Sequence, residues 1–183
     1  MEPPSTLQYR ADFTASEWAP RDTPNASAGL VDGKYAISVR RLWSTIAWRA
    51  AGRRRISIAV AARMNQAPDA RLTVQCGLPA PGSKYLSASI SPDASWEIRG
   101  NDRVLASGSA TERDSELREA FVLRLDCVTD TSPTRAALFL NDALLGEGGG
   151  TGSFALDGAF LSATTEGQEP FELSISEVTV TGT

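Results

Sequence analysis

The stretch Ala120–Glu147 constrains the fold of this chain more than any other. Every second residue of its first part is apolar, from Phe121 to Cys127, which is the period of a strand with one buried face. Two further apolar runs, Ala137–Leu140 and Ala143–Leu145, flank Asn141-Asp142, a pair that tolerates the positive φ of a tight hairpin. The stretch therefore predicts a meander of antiparallel strands with a cysteine on an inward face.

The same alternation recurs along most of the chain. Tyr35–Val39 follows an Asp32-Gly33 hairpin signal, and Arg55–Arg63 carries four apolar residues on one face. The last strand, Phe171–Val180, changes phase at Ser176-Glu177, which predicts a β-bulge. Twelve to fourteen strands in one chain predict an all-β fold, a two-sheet antiparallel β-sandwich of the jelly-roll type.

Three segments lack the strand period. Thr14–Ala28 is polar, with two prolines, and we expect a long surface loop whose Trp18 folds back onto the sandwich edge. Gly146–Gly152 contains five glycines and predicts a flexible loop. Ala110–Glu119 is rich in charge and predicts a loop with one helical turn.

Length and composition favour one domain. The 183 residues suffice for a substantial core, which we place in residues 7–181. Residues 1–6 resemble the remnant of a linker behind an initiator Met, which leaves room for an export signal or a membrane anchor upstream. The apolar runs are too short to span a bilayer, so we expect membrane contact only through an anchor outside this sequence.

Charge and histidine content narrow the function classes. The net charge of −4 argues against nucleic acid as a partner, and we interpret Arg53-Arg54-Arg55 as a solvated strand entry. The absence of His removes the commonest general base and zinc ligand. Sixteen arginines against two lysines suggest a bacterial source of high genomic GC content.

The two cysteines each end an alternating apolar run. Cys76 and Cys127 therefore point inward, on strands that could be neighbours. A disulfide between them is our preferred interpretation, and two buried free thiols are the alternative. The bridge would close a loop of about fifty residues, contribute about 3–4 kcal/mol, and place the chain in an oxidising compartment.

Six short motifs resemble those of bacterial concanavalin A-like sandwich domains, of the lectin, glucanase and LamG type. They follow the family's order over nearly the whole chain and consist mostly of turn and core residues. They are Ala11-Asp12-Phe13 with Trp18, Leu30–Val39, Tyr85–Asp93, Leu138–Asp142, Gly158–Ala163 and Phe171–Val180. The resemblance implies two curved antiparallel sheets and an extracellular or cell-surface location. Such domains often form the outer part of bacterial lipoproteins, surface proteins or receptor kinases, and relatives bind or cleave sugars.

Sugar binding needs exposed aromatic rings and a few polar groups. Trp43, at a strand entry, is the aromatic residue that we expect to be exposed, and Arg41 beside it could donate to an acidic ligand. Tyr85 and Trp96 complete the predicted ligand-binding set, although the strand positions of Trp96 and Trp48 favour the core for both.

Glycoside hydrolysis would need two carboxylates on one surface. Laminarinase-like relatives carry E-x-D-x-x-E on one strand, and the nearest local match is Glu112–Glu116, whose third acid falls at the wrong spacing. Asp93 and Glu97, from different strands, form the other possible pair. We assign no catalytic residue.

A structural calcium ion is frequent in related sandwiches. Asp12 could supply one oxygen ligand, which suits a hard cation. Ser176-Glu177 stands where relatives often show Asp, so we assign no cofactor and keep Ca²⁺ at Asp12 as an alternative.

These observations predict a non-catalytic extracellular ligand-binding or sensor module of a bacterial surface or secreted protein. Its expected partner is a glycan or a cell-surface protein. The first alternative is a glycoside hydrolase with paired carboxylates, and the second is a domain for protein–protein adhesion or a structural spacer.

Overall fold

The computed structural model describes residues 7–150 and 152–183. These residues form fifteen strands, one more than the upper expectation. The strands, in chain order, are β1 Leu7–Arg10, β2 Arg21–Asp22, β3 Ala26–Val31, β4 Lys34–Val39, β5 Leu42–Arg53, β6 Arg55–Met64, β7 Ala70–Cys76, β8 Leu86–Ile90, β9 Ser95–Gly100, β10 Arg103–Ser109, β11 Phe121–Val128, β12 Thr134–Leu140, β13 Ala143–Gly150, β14 Leu156–Thr165 and β15 Phe171–Gly182. The predicted linker remnant, residues 1–6, lies outside the described residues.

Two antiparallel sheets form the sandwich. The larger has nine strands, eight of them in the order β13-β12-β11-β6-β15-β4-β3-β2. The ninth strand, β1, lies on the same side of β15 as β4. β4 pairs with the first half of β15, and β1 pairs with its second half. The smaller has six strands in the order β10-β9-β8-β7-β14-β5. At one side of the sandwich the edge strand β10 contacts the edge strand β13. At the other side β5 is the last strand of the smaller sheet, and no second described strand pairs with its outer edge.

Helical structure is confined to short turns. A 3₁₀ turn, Thr111–Arg113, leads into the helix α1, Asp114–Glu119, and a second 3₁₀ turn spans Ser16–Trp18. The expectation of a loop with one helical turn at Ala110–Glu119 is thus only partly right, because the segment is helical from Thr111 to Glu119. Within the described residues, no helix is long and apolar enough to cross a membrane.

The central meander is confirmed. β11, β12 and β13 are hydrogen-bonded neighbours, and the connection between the last two has positive φ at both Asn141 (47°) and Asp142 (62°). The turn between β3 and β4 likewise has positive φ at two successive residues, Asp32 (50°) and Gly33 (75°). Both turns have the backbone twist that matches paired strands, which explains why short polar dipeptides marked the hairpins.

The buried rows follow the predicted faces. On β11 the inward residues run from Phe121 to Cys127, and on β6 from Ile56 to Ala62, all nearly without exposure. Burial of each such aliphatic side chain contributes about 1.5–3 kcal/mol. The bulge in β15 is also confirmed, because its register against β6 shifts between Ile175 and Glu177, and this keeps Val178 and Val180 in the core.

A disulfide joins Cys76 of β7 to Cys127 of β11, with Cα atoms 6.5 Å apart. The predicted bridge is confirmed. The sequence suggested that the two strands could be neighbours. They are not, because β7 belongs to the smaller sheet and β11 to the larger. The bond therefore links the two layers across the core.

The predicted glycine loop is wrong over most of its length. Residues up to Gly150 belong to β13, and its glycines lie where the two sheets come closest. A Cβ atom at Gly146 would lie 2.1 Å from Trp96, and one at Gly148 would lie 2.7 Å from Leu105. Glycine is needed here because side chains of the opposite sheet occupy that space.

The predicted loop Thr14–Ala28 is also partly wrong. It contains the 3₁₀ turn at Ser16–Trp18, the short strand β2 and the start of β3. Trp18 is 1% exposed and packs edge-to-face on Phe13 and Tyr35, with ring centroids 5.0 and 5.2 Å away. Its ring is therefore part of the core and does not merely cover the edge.

Candidate functional site

Trp43 does not face solvent. Its side chain is 3% exposed and packs against Trp18 and Tyr35, with ring centroids 6.2 and 6.0 Å away. The alternation of β5 turns Trp43 inward together with Thr45 and Ala47. The expectation that Trp43 is exposed is wrong, so this ring offers no surface for stacking on a ligand.

The other predicted ligand-binding residues lie in separate places. Arg41 is exposed between β4 and β5, where its backbone N–H donates to the carbonyl of Asn25 at 3.0 Å. The ring of Trp96 is partly buried against Gly108 and Gly146. Tyr85 is partly buried and lines a cleft at one end of the sandwich. The structure does not bring Trp43, Arg41, Tyr85 and Trp96 into one site.

Two of the three acids of the 112–116 segment, Asp114 and Glu116, are engaged with neighbouring side chains, and the third, Glu112, is exposed. Arg118 lies 3.0 Å from Asp114, and Arg113 donates to Glu116 at 2.8 Å. The hydrogen bond from Arg113 holds the pKa of Glu116 below its ordinary value. A general acid of a glycosidase needs a raised pKa, so Glu116 does not suit that role.

Asp93 and Glu97 are also separately engaged. Asp93 accepts hydrogen bonds from the backbone N–H and the hydroxyl of Ser95, at 2.9 and 2.7 Å, and these lower its pKa. Glu97 pairs with Arg99 at 2.8 Å. Asp93 thus acts as a turn residue at the start of β9, and the two carboxylates do not form a catalytic pair.

The carboxylate of Asp12, the calcium ligand considered from the sequence, is engaged with the local backbone. One carboxylate oxygen accepts the backbone N–H of Thr14 at 2.9 Å, which lowers the pKa of Asp12. Glu177, at the closing bulge, pairs with Arg10 at 2.7 Å. In residues 7–150 and 152–183, no three His, Cys, Asp or Glu side chains form a group that could hold a metal ion. A Ca²⁺ ion, which takes six to eight oxygens, would therefore need most of its ligands at Asp12 from backbone carbonyls and water.

A cleft of about 600 Å³ runs along the outer edge of β5. We call it the edge cleft. β1, the 3₁₀ turn, β2, β5 and β14 all contribute to its lining, and the residues are Tyr9, Ser16, Glu17, Arg21, Ser44, Thr45, Ile46, Ala47, Trp48, Arg49 and Phe160. Its volume lies within the range typical of small-ligand sites.

Three partly buried aromatic side chains, Tyr9, Trp48 and Phe160, line the edge cleft. The register between β5 and β14 shifts so that Trp48 lies opposite Ala159 and Ile46 lies opposite Phe160, which leaves Ala47 as an extra residue. This bulge breaks the alternation of β5 and changes the direction in which Trp48 points. Bulges on edge strands often orient side chains next to binding sites in this way.

Glu17 supplies the carboxylate of the cleft. It makes no ion pair within the described residues, and its nearest hydroxyl donors are distant: Tyr9 at 3.5 Å and Ser16 at 3.4 Å. Both contacts are at the long limit for a hydrogen bond, so the carboxylate keeps most of its capacity to accept.

Arg21 fixes the wall of the cleft. Its guanidinium donates to the carbonyls of Ser44 and Glu17, at 2.7 and 3.2 Å, and so ties the 3₁₀ turn to β5. The hydroxyl of Thr45 adds a 2.7 Å bond to the carbonyl of Glu17. The backbone that carries the Glu17 side chain is therefore held in place from two sides.

Tyr9 remains a neutral phenol at ordinary pH. Its hydroxyl accepts a hydrogen bond from Nε1 of Trp18 at 3.2 Å. Burial raises the pKa of Tyr9, and the negative charge of Glu17 adds to the increase. The edge cleft thus combines aromatic surface with an uncharged hydroxyl and one carboxylate.

Sequence reasoning named only Trp48 from the edge cleft, and it favoured the core for that ring. Tyr9, Glu17 and Phe160 were missed, because they come from segments that are far apart in the sequence and carry no shared motif. The place of β5 at the edge of its sheet was not predictable from alternation alone, since strand order is a property of the whole sheet.

Two layers of antiparallel strands with a lateral cleft define the class of this protein: it has the concanavalin A-like jelly-roll fold. No protein-family model matches the chain, and no curated protein matches it.

Solved structures of this fold are similar over almost the whole chain. A prokaryotic β-1,3-1,4-glucanase (lichenase) from a mouse hindgut metagenome has a TM-score of 0.64 and 10% identity, over 94% of this chain and 98% of the glucanase. Arcelin-5, a lectin-like defence protein from Phaseolus vulgaris, has a TM-score of 0.60 and 7% identity, over 98% and 99%. A sialidase has a TM-score of 0.65 and 12% identity, over 94% of this chain but only 18% of its own. Identities this low show the fold alone.

Proposed function

We propose that this chain is a non-catalytic glycan-binding module and that its ligand occupies the edge cleft. The observation that carries the proposal is the set of three aromatic side chains around one unpaired carboxylate, in a cleft of about 600 Å³. The fold supports the same class of ligand, because its solved neighbours include glucanases and a lectin-like protein.

The aromatic residues fit the apolar face of a sugar ring. Pyranose rings present C–H groups on one face, and aromatic rings pack against such surfaces. Tyr9, Trp48 and Phe160 are only partly buried, so each keeps ring surface for a ligand. Their attachment to three strands makes that surface rigid, which lowers the entropy lost on binding.

The polar groups fit the hydroxyls of the same sugar. A carboxylate accepts hydrogen bonds from sugar hydroxyls, and bonds to a charged group are about twice as strong as neutral ones. Glu17 is available for them, and Arg49 at the exposed end of the cleft adds a donor. A small number of placed polar groups among apolar ones is the usual composition of ligand sites.

The proposal of a non-catalytic role rests on the carboxylates. A retaining glycosidase places two carboxyl groups about 5–5.5 Å apart, and an inverting one about 6.5–9.5 Å apart. Among the described residues that line the edge cleft, Glu17 is the single acid. One carboxylate can orient a sugar but cannot supply both the acid and the base of hydrolysis.

The proposal includes a location outside the cytoplasm, as part of a surface or secreted protein in which this module acts as a sensor. The disulfide between Cys76 and Cys127 supports it, because such bonds persist in oxidising compartments. The partner would then be a glycan in the medium or on a cell surface.

The experiment that tests the proposal is a glycan array of neutral oligosaccharides, followed by titration of the best ligand. We expect Phe160→Val, which removes one ring of the cleft, to weaken binding about tenfold, since aromatic contacts with a ligand contribute about 1–2 kcal/mol. Phe139→Val is the matched control, because Phe139 is a partly buried strand residue on β12, outside the cleft.

The same experiment distinguishes the proposal from its alternatives. If the array retains none of the neutral oligosaccharides, this would contradict glycan binding and favour a protein partner. New reducing ends released from a bound oligosaccharide would contradict the non-catalytic role. Equal weakening by Phe160→Val and Phe139→Val would show that the effect comes from stability and not from the edge cleft.

A further inference from the structure

A second cleft lies at one end of the sandwich, away from the edge cleft. Its volume is about 460 Å³. It is formed by the segment before β8, the turn between β9 and β10, the start of β12, the end of β13 and Phe154. We call it the end cleft. None of its lining residues is shared with the edge cleft.

Aromatic surface forms one wall of the end cleft. Tyr85 and Phe154 are both partly buried lining residues. The backbone of Tyr85 is fixed by Asn101, whose side-chain oxygen accepts the N–H of Tyr85 at 3.0 Å and whose own N–H donates to the carbonyl of Tyr85 at 3.2 Å. This pair of bonds fixes the backbone from which the Tyr85 side chain extends.

The charged residues of the end cleft are all positive. Lys84 and Arg103 are exposed lining residues, and neither pairs with a carboxylate in the part of the chain that the structure describes. Nζ of Lys84 lies 5.7 Å from the centroid of the Phe154 ring. No acid is among the described lining residues, although the chain as a whole has a net charge of −4. The lining of this cleft is therefore positively charged. Burial raises the pKa of the Tyr85 hydroxyl, and Asp102, an acid outside the lining, is close enough to add to that increase.

The floor of the end cleft contains an unused polar group. Thr134 is 1% exposed, and its hydroxyl oxygen has no hydrogen-bond partner among the described residues. A Cβ atom at Gly150 would lie 2.9 Å from that oxygen, so glycine at this position leaves space over the hydroxyl. A buried hydroxyl without a partner is costly in a folded protein, and because this oxygen is shielded from solvent it could pair with a ligand only after a rotation that turns it toward the cleft.

We infer that the end cleft binds an anionic saccharide, a sugar ring that carries a carboxylate or a sulfate. The ring packs on Tyr85, and Lys84 and Arg103 pair with the anionic group. Guanidinium and ammonium groups bind these anions through charge-assisted hydrogen bonds. This site is independent of the glycan site proposed in the edge cleft, and either can exist without the other.

Calorimetric titration with three probes tests the inference. The probes are an oligogalacturonate, its fully methyl-esterified form, which keeps the rings and loses the charge, and a sulfated neutral oligosaccharide of similar length. We expect one of the two anionic probes to bind at least about tenfold more tightly than the ester, with affinity that falls as salt rises. The stronger of the two identifies the anionic group.

Variants locate the binding. Arg103→Gln is expected to weaken the anionic probe about tenfold, whereas Arg71→Gln is expected to leave its affinity unchanged, because Arg71 is an equally exposed arginine on β7 outside the cleft. Equal binding of the ester, no binding of either anionic probe at millimolar concentration, or equal effects of the two variants would each overturn the inference. Loss of anionic binding in Glu17→Gln would overturn it as well, since that residue belongs to the edge cleft.

Discussion

The contact between Trp96 and the glycines of the two sheet edges makes a quantitative prediction. A Cβ atom at Gly146 would lie 2.1 Å from Cη2 of Trp96, about 1.3 Å closer than the 3.4 Å at which ordinary contact begins. On the other side, a Cβ atom at Gly108 would lie 2.6 Å from Cζ2 of the same ring. The ring is thus clamped between two backbones and cannot move away from an added methyl group.

We therefore expect Gly146→Ala to destabilise the fold by about 2 kcal/mol. Overpacking of a filled core costs about 1–3 kcal/mol, and the clamped ring places this site toward the upper end. The loss of unfolded-state entropy on replacing Gly by Ala offsets about 0.4–1 kcal/mol of that cost. Urea unfolding followed by tryptophan fluorescence measures the free energy of unfolding directly.

Gly29→Ala is the matched control. Gly29 also lies in a strand of the larger sheet, but a Cβ atom there would meet only Pro20, at 3.9 Å, which is an ordinary contact. We expect its stability to stay within about 0.5 kcal/mol of the parent. Combining Gly146→Ala with Trp96→Leu should recover part of the loss, because the two side chains compete for one space. A parent-like stability of Gly146→Ala would refute the packing argument.

Three further predictions concern the disulfide, the pH response and calcium. Replacing Cys76 and Cys127 by Ala should lower the free energy of unfolding by about 4 kcal/mol, given their separation of 51 residues. Guanidinium unfolding measures this loss, and a loss well below that value would contradict the prediction. Burial raises the pKa of Tyr35, so the unfolded chain loses the phenol proton at a lower pH than the folded protein, and the free energy of unfolding should fall as pH rises above about 10. The variant Tyr35→Phe should show a smaller fall when melting is measured as a function of pH. An unchanged slope in this variant would count against the prediction. Because no group of three acidic side chains surrounds Asp12 among the described residues, millimolar CaCl₂ should leave the melting midpoint unchanged, and a clear rise would contradict this.

Most of the fold could be predicted because it depends on local patterns. The alternation in β6, β11 and β15 fixed which residues face the core, and even the bulge near Ser176 followed from a change of phase. The glycines of β13 misled the prediction, because a glycine run is typical of loops. The structure places Trp96 over Gly146 and Leu105 over Gly148, both from the opposite sheet, and no local pattern reveals such long-range contacts.

The candidate site was less predictable than the fold. Trp43 was expected to be exposed from its place at a strand entry, but Trp18 and Tyr35 cover it, and both belong to other segments. Glu17 had no signal of its own, since it lies within the polar stretch Thr14–Ala28 that was predicted to be a surface loop. Which side chains share a cleft depends on strand order, which alternation does not encode.

The central claim is that the edge cleft binds a glycan through Glu17, and one comparison of dissociation constants tests it most directly. The measurement is calorimetric titration of the best neutral oligosaccharide into Glu17→Gln and into Glu112→Gln, a variant with the same charge change at an exposed acid outside the cleft. Hydrogen bonds to a charged group contribute about 1.5–3 kcal/mol, so we predict that Glu17→Gln weakens binding at least about tenfold while Glu112→Gln binds like the parent. Equal affinity of the two variants would contradict the account.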